Sequence, residues 1–256
     1  MGVNTTDAIV LRRREFRETS LLVTLFTKDF GKINGLIKGA RGARAQAGLN
    51  PQLFTLNRIV FYPRKRGDLD MVTECDLIDF FDDAKRDLER LAFASYFGEL
   101  VDVVGQARQP SSELFDLLLN SLKRLSDNSS AKRTARIFEI KLLKILGLSP
   151  NLTNCVGCNK DIEWKATDRA SFVLRDGGLR CKECDTGNSV TKGVLPILRG
   201  TANFIMHVER ASHERVSRIK VSRPVGVQLE RLMGAFIAFY VKSNLKSVDF
   251  LRKLKI

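Results

Sequence analysis

The amino-acid sequence predicts an α+β protein with an N-terminal five-stranded barrel and a C-terminal helical domain that carries a cysteine-rich insertion. Three observations lead to this prediction. Five short apolar segments with turn residues between them lie within residues 5–77. After Asp79 the apolar residues recur at helical spacing, every three or four positions. Two Cys-x-x-Cys pairs then stand 22 residues apart. A length of 256 residues also suits two domains better than one.

The barrel is predicted from strands that are short and separated by turn residues. The predicted strands are Thr5–Arg13, Ser20–Thr27, Lys32–Lys38, Leu53–Tyr62 and Leu69–Leu77. Asp29-Phe30-Gly31 is typical of a hairpin turn, and Pro63–Asp68 is typical of a basic hairpin tip. Five such strands suit an OB-fold, the five-stranded barrel known for binding oligonucleotides, although an SH3-like barrel fits the same pattern. Residues 1–80 are therefore predicted to form an OB-fold nucleic-acid-binding domain.

The rest of the chain is predicted to be mainly helical. The predicted helices are Asp83–Gln106, Pro110–Leu125, Ala131–Leu146, Val194–Met206, Val225–Lys242 and Val248–Leu254. Ser111 or Ser112 caps the second helix, because a serine hydroxyl accepts a hydrogen bond from the free N–H groups of the first turn. The third helix is apolar on nearly every side in its second half, which puts it at the centre of a core. Residues 81–256 are thus predicted to form a helical domain with a zinc-binding insertion at about residues 151–190.

The two Cys-x-x-Cys pairs predict a structural zinc site with Cys155, Cys158, Cys181 and Cys184 as its ligands. Each pair directs two thiolates at one point, and two pairs complete the tetrahedral shell that Zn²⁺ prefers. Four thiolates leave no position open for water or substrate, so the metal would contribute to folding rather than to catalysis. The alternatives are disulfides, which need an oxidising compartment, and a redox pair, which needs a βαβ setting; the sequence indicates neither.

The charge of the chain predicts a polyanionic partner. The formal net charge is +14 and the isoelectric point is about 9.8, an excess that in a cytoplasmic protein most often serves nucleic-acid binding. Residues 1–72 hold 13 Lys and Arg against 6 Asp and Glu, and residues 103–256 hold 27 against 14, whereas residues 73–102 hold 3 against 9. No apolar run reaches the roughly 20 residues that span a bilayer, and residues 1–9 lack a signal pattern. We therefore expect a cytoplasmic protein with no membrane partner.

OB barrels bind single strands through a basic groove and aromatic rings. The predicted DNA-binding residues cluster at strand ends and loop tips; they are Arg12, Arg13, Arg14, Arg17, Lys38, Arg41, Arg44, Arg64, Lys65 and Arg66. Of the available rings, Phe16 and Tyr62 are predicted to be exposed, whereas strand alternation turns others into the core. Loops that are rich in arginine and poor in rings favour contacts to phosphates, which predicts little sequence preference.

No catalytic site is predicted. The sequence lacks a Walker-type phosphate loop, and its two histidines, His207 and His213, have no metal-ligand spacing with the cysteines. Cys75 is expected to be buried in a strand. The acids at residues 82, 83 and 87 suit a helix N-terminus, where negative charge is favourable, better than they suit a divalent-metal site.

Several segments of the chain resemble the RecO family of bacterial DNA repair proteins. They are Asp7–Leu11, Glu18–Ser20, Phe26–Gly31, Lys38–Gly42, Gly147–Pro150, Gly177-Gly178 and Leu245–Leu251. The resemblance covers essentially the whole chain. It implies an N-terminal OB-fold, a helical C-terminal domain and an inserted zinc knuckle. Some members of that family lack cysteines at the zinc positions, whereas this chain has all four.

The resemblance also implies a recombination mediator that has no catalytic chemistry and is associated with the nucleoid. Such proteins bind single- and double-stranded DNA, anneal complementary strands and act with RecR, and in some cases RecF, to load RecA onto DNA coated with single-strand binding protein (SSB). The acidic SSB tail ends in an apolar residue and needs an apolar pocket with a basic rim. The candidate rim residues are Arg199, Arg210, Arg215 and Arg218. A zinc-containing RNA-binding or ribosome-associated protein is the alternative, because charge does not separate RNA from DNA.

Overall fold

The computed structural model describes residues 2–40, 50–64, 67–127, 129–164, 169–185, 193–211, 216, 219, 221–241 and 243–254. The chain divides into two compact units. Unit 1 comprises Met1–Ala135 and Asn244–Ile256, and unit 2 comprises Arg136–Ser243. The predicted domain boundary at residue 80 follows the change from strands to helices and stays a prediction.

The described residues form eight strands and seven helices. The strands are β1 (Asn4–Phe16), β2 (Ser20–Thr27), β3 (Gly31–Ile37), β4 (Leu56–Tyr62), β5 (Leu69–Asp79), β6 (Arg169–Val173), β7 (Gly178–Arg180) and β8 (Val194–Leu198). The helices are α1 (Asp82–Arg86), α2 (Leu88–Val104), α3 (Ser112–Ser126), α4 (Ala131–Ile145), α5 (Arg199–Arg210), α6 (Arg223–Val241) and α7 (Lys246–Lys253).

Strands β1 to β5 form a closed barrel in the order β1-β2-β3-β5-β4, with β4 returning to β1. Strands β3 and β5 pair in parallel, and the other pairs are antiparallel. Closure leaves no free sheet edge, and the inward side chains fill the interior. The barrel is OB-like, and with the helices and the four-cysteine insertion it confirms the predicted fold class.

The barrel core follows in part from alternation along the strands, as in the middle of β2. In β2, Leu21, Val23 and Leu25 are buried while the residues between them are more exposed. Burying such a side chain contributes about 1.5–3 kcal/mol. Cys75 lies in the same core, as predicted, and burial together with the charge of the neighbouring Asp76 raises the pKa of its thiol to about 12. This cysteine is therefore an uncharged core residue.

The chain that follows α2 runs along β3 and joins the barrel to the helices of unit 1. The amide of Lys32 donates to the carbonyl oxygen of Gln106 at 3.3 Å, and the amide of Arg108 donates to the carbonyl oxygen of Lys32 at 3.0 Å. Asp70, which is fully buried, forms an ion pair of 2.9 Å with Arg108. Gly31 lies so close to this segment that a Cβ atom would stand 2.2 Å from the carbonyl oxygen of Gln109.

The C-terminal helix α7 belongs to unit 1 because Glu99 on α2 binds its first turn. The two carboxylate oxygens of Glu99 accept the backbone N–H groups of Lys246 at 3.0 Å and Ser247 at 2.8 Å. The free amides at the start of a helix favour such a negative charge. Helix α7 is thereby fixed against α2 although about 150 residues separate them in the chain.

Unit 2 contains a three-stranded sheet in the order β7-β6-β8, packed with α5 and α6. Phe172 on β6 meets Phe236 on α6 edge to face, with ring centroids 5.6 Å apart. The side chain of Gln228 covers the outer edge of β8: its Oε1 accepts the N–H of Leu198 at 2.6 Å and its Nε2 donates to the carbonyl oxygen of Pro196 at 2.9 Å. An edge that is covered in this way is closed to a further strand.

Two predicted helices differ from the structure. The predicted helix Val194–Met206 is wrong in its first part, because Val194–Leu198 is strand β8 and helix α5 begins at Arg199. Pro196 suits an edge strand, since it has no N–H to donate outwards. The predicted helix Asp83–Gln106 is divided at Asp87, which has extended backbone and accepts the N–H of Arg90 as the N-cap of α2.

We expect Gly31→Ala to destabilise unit 1 much more than Gly39→Ala. Both glycines have φ of +67°, but among the described residues no atom lies within 4 Å of a Cβ at Gly39, whereas one at Gly31 meets the backbone of Gln109. Gly39→Ala should cost about 1 kcal/mol for the positive φ, and Gly31→Ala about 2 kcal/mol more for the displaced segment. Urea denaturation measures both, and equal losses would show that the close approach contributes nothing.

Candidate functional site

One outer face of the barrel is a groove of about 730 Å³. A register shift between Val10 and Arg12 marks a β-bulge in β1, and bulges redirect the side chains that follow them. Two rows of residues then cross the sheet. The first row is Arg12, Thr24, Asn34 and Leu69, and the second is Arg14, Leu22, Leu36, Met71 and Tyr62. The whole first row lines the groove together with Arg14 and Leu22 of the second, so guanidinium groups stand at one side of it and leucine side chains lie beside them.

The structure separates the predicted DNA-binding residues into free and engaged cations. Arg14, Arg17, Lys38 and Arg64 have exposed side chains. Arg13 is half-buried, and its guanidinium donates to Gln52 Oε1 at 2.8 Å and to Asn50 Oδ1 at 2.9 Å. Arg12 is 66% exposed but forms an ion pair with Asp102 on α2. Arg41, Arg44, Lys65 and Arg66 lie outside the described residues.

Arg17 stands at the turn between β1 and β2 with φ of 53°, a left-handed conformation that is uncommon for arginine. Its guanidinium lies 5.2 Å from the centroid of the Phe16 ring, within the range of a cation–π contact. Phe16 is half-buried and Tyr62 is 37% exposed, whereas Phe54 and Phe61 are buried. The predicted exposure of the rings is therefore confirmed for Tyr62 and partly for Phe16.

Sequence reasoning missed Asp102 and Lys32, which lie on other elements and form a charged cluster with Arg12. Asp102 is 9% exposed and contacts both Arg12 and Lys32. Lys32 was part of a predicted strand but not of the predicted site. No local signal identifies the pair, because residue 102 is one of nine acids in an acidic stretch and 70 residues separate it from Lys32. Only the tertiary fold brings them together.

The four predicted metal ligands lie together in unit 2. The Sγ atoms of Cys155, Cys158, Cys181 and Cys184 are all within 4.8 Å of one another. The Sγ atoms of Cys158 and Cys181 are 3.7 Å apart, close to the edge of about 3.8 Å that a tetrahedron with Zn–S bonds of about 2.3 Å requires. That distance is far longer than a disulfide bond, and all five cysteines of the chain are free thiols. The cluster therefore fits a tetrahedral metal ion.

Backbone amides prepare one of these sulfurs for a metal. The N–H groups of Gly157 and Cys181 donate to Cys155 Sγ at 3.4 and 3.3 Å. Burial acts to raise the pKa of Cys155, but hydrogen bonds from Cys181, Cys158 and Gly157 outweigh it and lower the pKa to about 6. Hydrogen bonds with Cys158 and Cys181 raise the pKa of Cys184 to about 12. The Cys155 thiolate thus accepts hydrogen bonds from neighbouring groups. A bound metal ion would displace the protons of the remaining thiols.

The first pair of cysteines is held against β7. The N–H of Val156 donates to the carbonyl oxygen of Leu179 at 2.8 Å, and the N–H of Leu179 donates to that of Asn151 at 2.9 Å. A Cβ at Gly178 would stand 2.6 Å from Val156, so only glycine permits this approach. The second pair, Cys181 and Cys184, follows directly after β7. The short strand thereby brings both pairs to one point.

A second groove, of about 530 Å³, lies in unit 2 between β8 and the start of α6. Its apolar lining includes Leu195, Leu198 and Val227, and Arg223 and Arg231 lie at α6 positions eight residues apart. The candidate rim residues Arg199 and Arg210 are exposed at the two ends of α5 but do not line this groove. Arg215 and Arg218 lie outside the described residues. In the part of the chain that is described, no helix has the length and apolarity to cross a membrane.

These features define the class: an OB-like barrel with an arginine-lined groove, followed by helices that carry a four-cysteine cluster able to hold a metal ion. Two family models match the chain, Recombination protein O N terminal over residues 1–81 and Recombination protein O C terminal over residues 85–249. The chain therefore belongs to the RecO family, which confirms the resemblance found in the sequence.

Individual relatives agree with the family models. A protein of Desulforamulus reducens named DNA repair protein RecO is 30% identical over 256 residues, which is 99% of this chain and 96% of the relative. A protein of the same name from Symbiobacterium thermophilum is 30% identical over 258 residues, 100% of this chain and 99% of its own length. A third, from Rhodopirellula baltica, is 36% identical over 182 residues, 71% of this chain and 67% of its own length.

We expect the purified protein to bind one divalent metal ion per chain and Cys181→Ser to lose it. Structural zinc contributes about 10–16 kcal/mol in small peptides, so the variant should lose several kcal/mol in stability. Because the thiols must lose their protons to bind, metal affinity should fall as the pH falls. Elemental analysis and thermal unfolding measure these effects.

Cys75→Ala is the matched control, because this cysteine lies in the barrel core and away from the cluster. It should cost about 1 kcal/mol and retain the metal. A Cys181→Ser protein that keeps both its metal and its stability would contradict the proposed ligand set.

Proposed function

We propose that this chain is a DNA-binding recombination mediator in DNA repair. It would bind single- and double-stranded DNA, anneal complementary strands and, with RecR, help load RecA onto SSB-coated single strands beside the nucleoid. The observation that carries the proposal is the groove of an OB-like barrel flanked by exposed arginines in a member of the RecO family. RecF would act in the same pathway, and contact with RecA would be indirect.

The chemistry of the groove favours phosphates over bases. Arg14 and Arg17 present guanidinium groups, whose planar donors match phosphate oxygens. Within the described residues, Arg14 has no hydrogen-bond or ion-pair partner that would occupy it. Tyr62 is the ring most exposed on this face, so base stacking has a single strong platform. Binding by such a surface depends on charge and hardly on base sequence.

The same groove supports a role without catalysis. Its described lining is made of arginines, apolar residues, Thr24, Asn34 and Asp68, with neither a histidine nor a cysteine among them. Asp68 could act as a general acid or base, but the Thr24 hydroxyl donates to Asn34 Oδ1 at 3.1 Å, so the described lining shows no nucleophile hydrogen-bonded to a base. The four-cysteine cluster offers no open coordination position either, because all its ligands are thiolates. A zinc-dependent enzyme is therefore a poorer fit than a binding protein.

The metal of the cluster is proposed to be Zn²⁺. Four thiolates at tetrahedral spacing select zinc among the common divalent ions, and the hard ions Mg²⁺ and Ca²⁺ prefer oxygen ligands. Bound there, the ion would join the Cys155 turn to the Cys181 turn across β7. Its role is structural, so loss of the metal should impair DNA binding only as far as it impairs folding.

The groove in unit 2 is proposed to hold the acidic tail of SSB. Arg223 and Arg231 would bind the carboxylates of the tail, and Leu195, Leu198 and Val227 would enclose its apolar end. None of the described residues that line this groove is acidic.

For the DNA interface, we expect the triple variant Arg14→Gln, Arg17→Gln and Arg64→Gln to bind DNA weakly and with a flatter salt dependence. Each phosphate contact that is lost should reduce the log–log salt slope by about 0.7 on single strands, so the triple variant should lose about 2. Fluorescence anisotropy with a labelled oligonucleotide measures the slope. Annealing of SSB-coated complementary strands, with and without RecR, should slow in parallel.

The control removes three exposed arginines elsewhere, with Arg199→Gln, Arg210→Gln and Arg252→Gln. It should leave the slope nearly unchanged. An equal loss in both triple variants would mean that net charge, rather than the barrel face, governs binding. Competition between unlabelled DNA and RNA of one sequence tests the alternative of an RNA-binding protein, which requires RNA to compete better.

For the tail, we expect Arg231→Glu to weaken binding of a labelled acidic peptide with an apolar C-terminal residue at least tenfold. A charge-assisted hydrogen bond contributes about 1.5–3 kcal/mol, and about 1.4 kcal/mol corresponds to tenfold. Arg199→Glu is the control, since Arg199 is exposed but lies outside the groove. Titration calorimetry on the full chain compares the two. If Arg199→Glu has the larger effect, the tail binds beside α5 and the groove is not its site.

A further inference from the structure

Asp102 is a nearly buried carboxylate in an unfavourable place. It lies in the last turn of α2, with a side chain only 9% exposed. The C-terminus of a helix carries a partial negative charge, so an acid there is destabilising unless cations compensate it. A buried carboxylate also loses its water shell and needs a charged partner. Its partners are therefore essential to the structure around it.

Lys32 on β3 compensates this carboxylate from inside the fold. Its Nζ lies 3.2 Å from Asp102 Oδ1 and also donates to the backbone carbonyl of Asp102. The Lys32 side chain is 21% exposed, so this pair is largely shielded from solvent. One carboxylate and one ammonium group already sum to zero charge. Asp102 consequently stays neutralised whether or not a second cation is present.

Arg12 is that second cation, and it differs from Lys32 in its exposure. Its Nη2 pairs with Asp102 Oδ2, but the side chain is 66% exposed and lines the barrel groove beside Arg14. Exposed ion pairs are weak and are screened by salt. Arg12 can therefore exchange one oxyanion for another at little cost, and a DNA phosphate presents the same kind of oxygen to it.

We infer that Asp102 is a positioning residue that competes with DNA for Arg12. In the free protein its Oδ2 occupies the guanidinium of Arg12; in the complex Arg12 turns to a phosphate while Lys32 keeps Asp102 neutralised. Asp102 thus lowers the affinity of the groove and the number of phosphates it contacts. This inference rests on the proposed DNA binding.

The test is Asp102→Asn, which keeps the size of the side chain and removes its charge. With a labelled oligo(dT) strand in a salt series, the variant should bind several-fold more tightly at low salt. Its log–log slope should be steeper by about 0.7, which corresponds to one added phosphate contact. A merely structural role would not steepen the slope. The gain should vanish in an Arg12→Gln background and persist in an Arg14→Gln background.

Arg12→Gln alone provides a second measurement that does not require the Asp102 variant to fold. It should flatten the slope by about 0.7 and leave thermal stability almost unchanged, because Lys32 still neutralises Asp102. An unchanged slope in Arg12→Gln, or an unchanged or flatter slope in folded Asp102→Asn, would overturn the inference while DNA binding by the wild-type chain stands. Absence of salt-dependent binding by the wild-type chain would overturn the proposed function as well.

Discussion

Two buried carboxylates determine how the barrel meets the helices of its own unit. Asp70 in β5 binds Arg108, and Asp102 in α2 binds Lys32, so each side of the joint contributes one acid and one base. Removing one partner of such a pair costs about 3–5 kcal/mol when the remaining charge stays buried. The two ion pairs lie beside the backbone hydrogen bonds that Lys32 forms with Gln106 and Arg108. The groove depends on these ion pairs too, because Lys32 and Asp70 lie on the strands that form its floor.

Alternation and spacing made the barrel and the long helices predictable, since both patterns are local. The same rules fail where a short apolar run suits either element. Val194–Leu198 is apolar enough for a helix, and only pairing with β6 decides that it is a strand. The division of the predicted helix Asp83–Gln106 at Asp87 does have a local signal, because aspartate is a common N-cap residue. The apolar spacing continues across this position and therefore predicted a single helix. Tertiary pairing and capping thus override periodicity at element ends.

The two candidate sites were predictable to different degrees for the same reason. Each Cys-x-x-Cys pair encodes half of the candidate metal site within four residues, and only the approach of the two halves across β7 depends on the fold. The groove face is an assembly of four strands, so sequence reasoning identified the basic residues without separating free from engaged ones. Arg13 and Arg12 have partners 37 or more positions away, at Asn50 and Asp102. Such distances carry no signal in a single sequence.

The acidic stretch of residues 73–102 explains why a basic chain leaves its cations available. Asp87 caps α2, Glu99 binds the start of α7, and Asp102 holds Lys32. These three acids accept hydrogen bonds at helix N-termini or form a buried ion pair, and in both places their charge stabilises the fold. Asp87 and Glu99 are therefore occupied away from the groove, whereas Asp102 also pairs with the groove residue Arg12. The chain thus has a net charge of +14 and keeps most basic residues in segments apart from its acidic stretch. This separation of charge along the chain favours a basic surface that binds a polyanion.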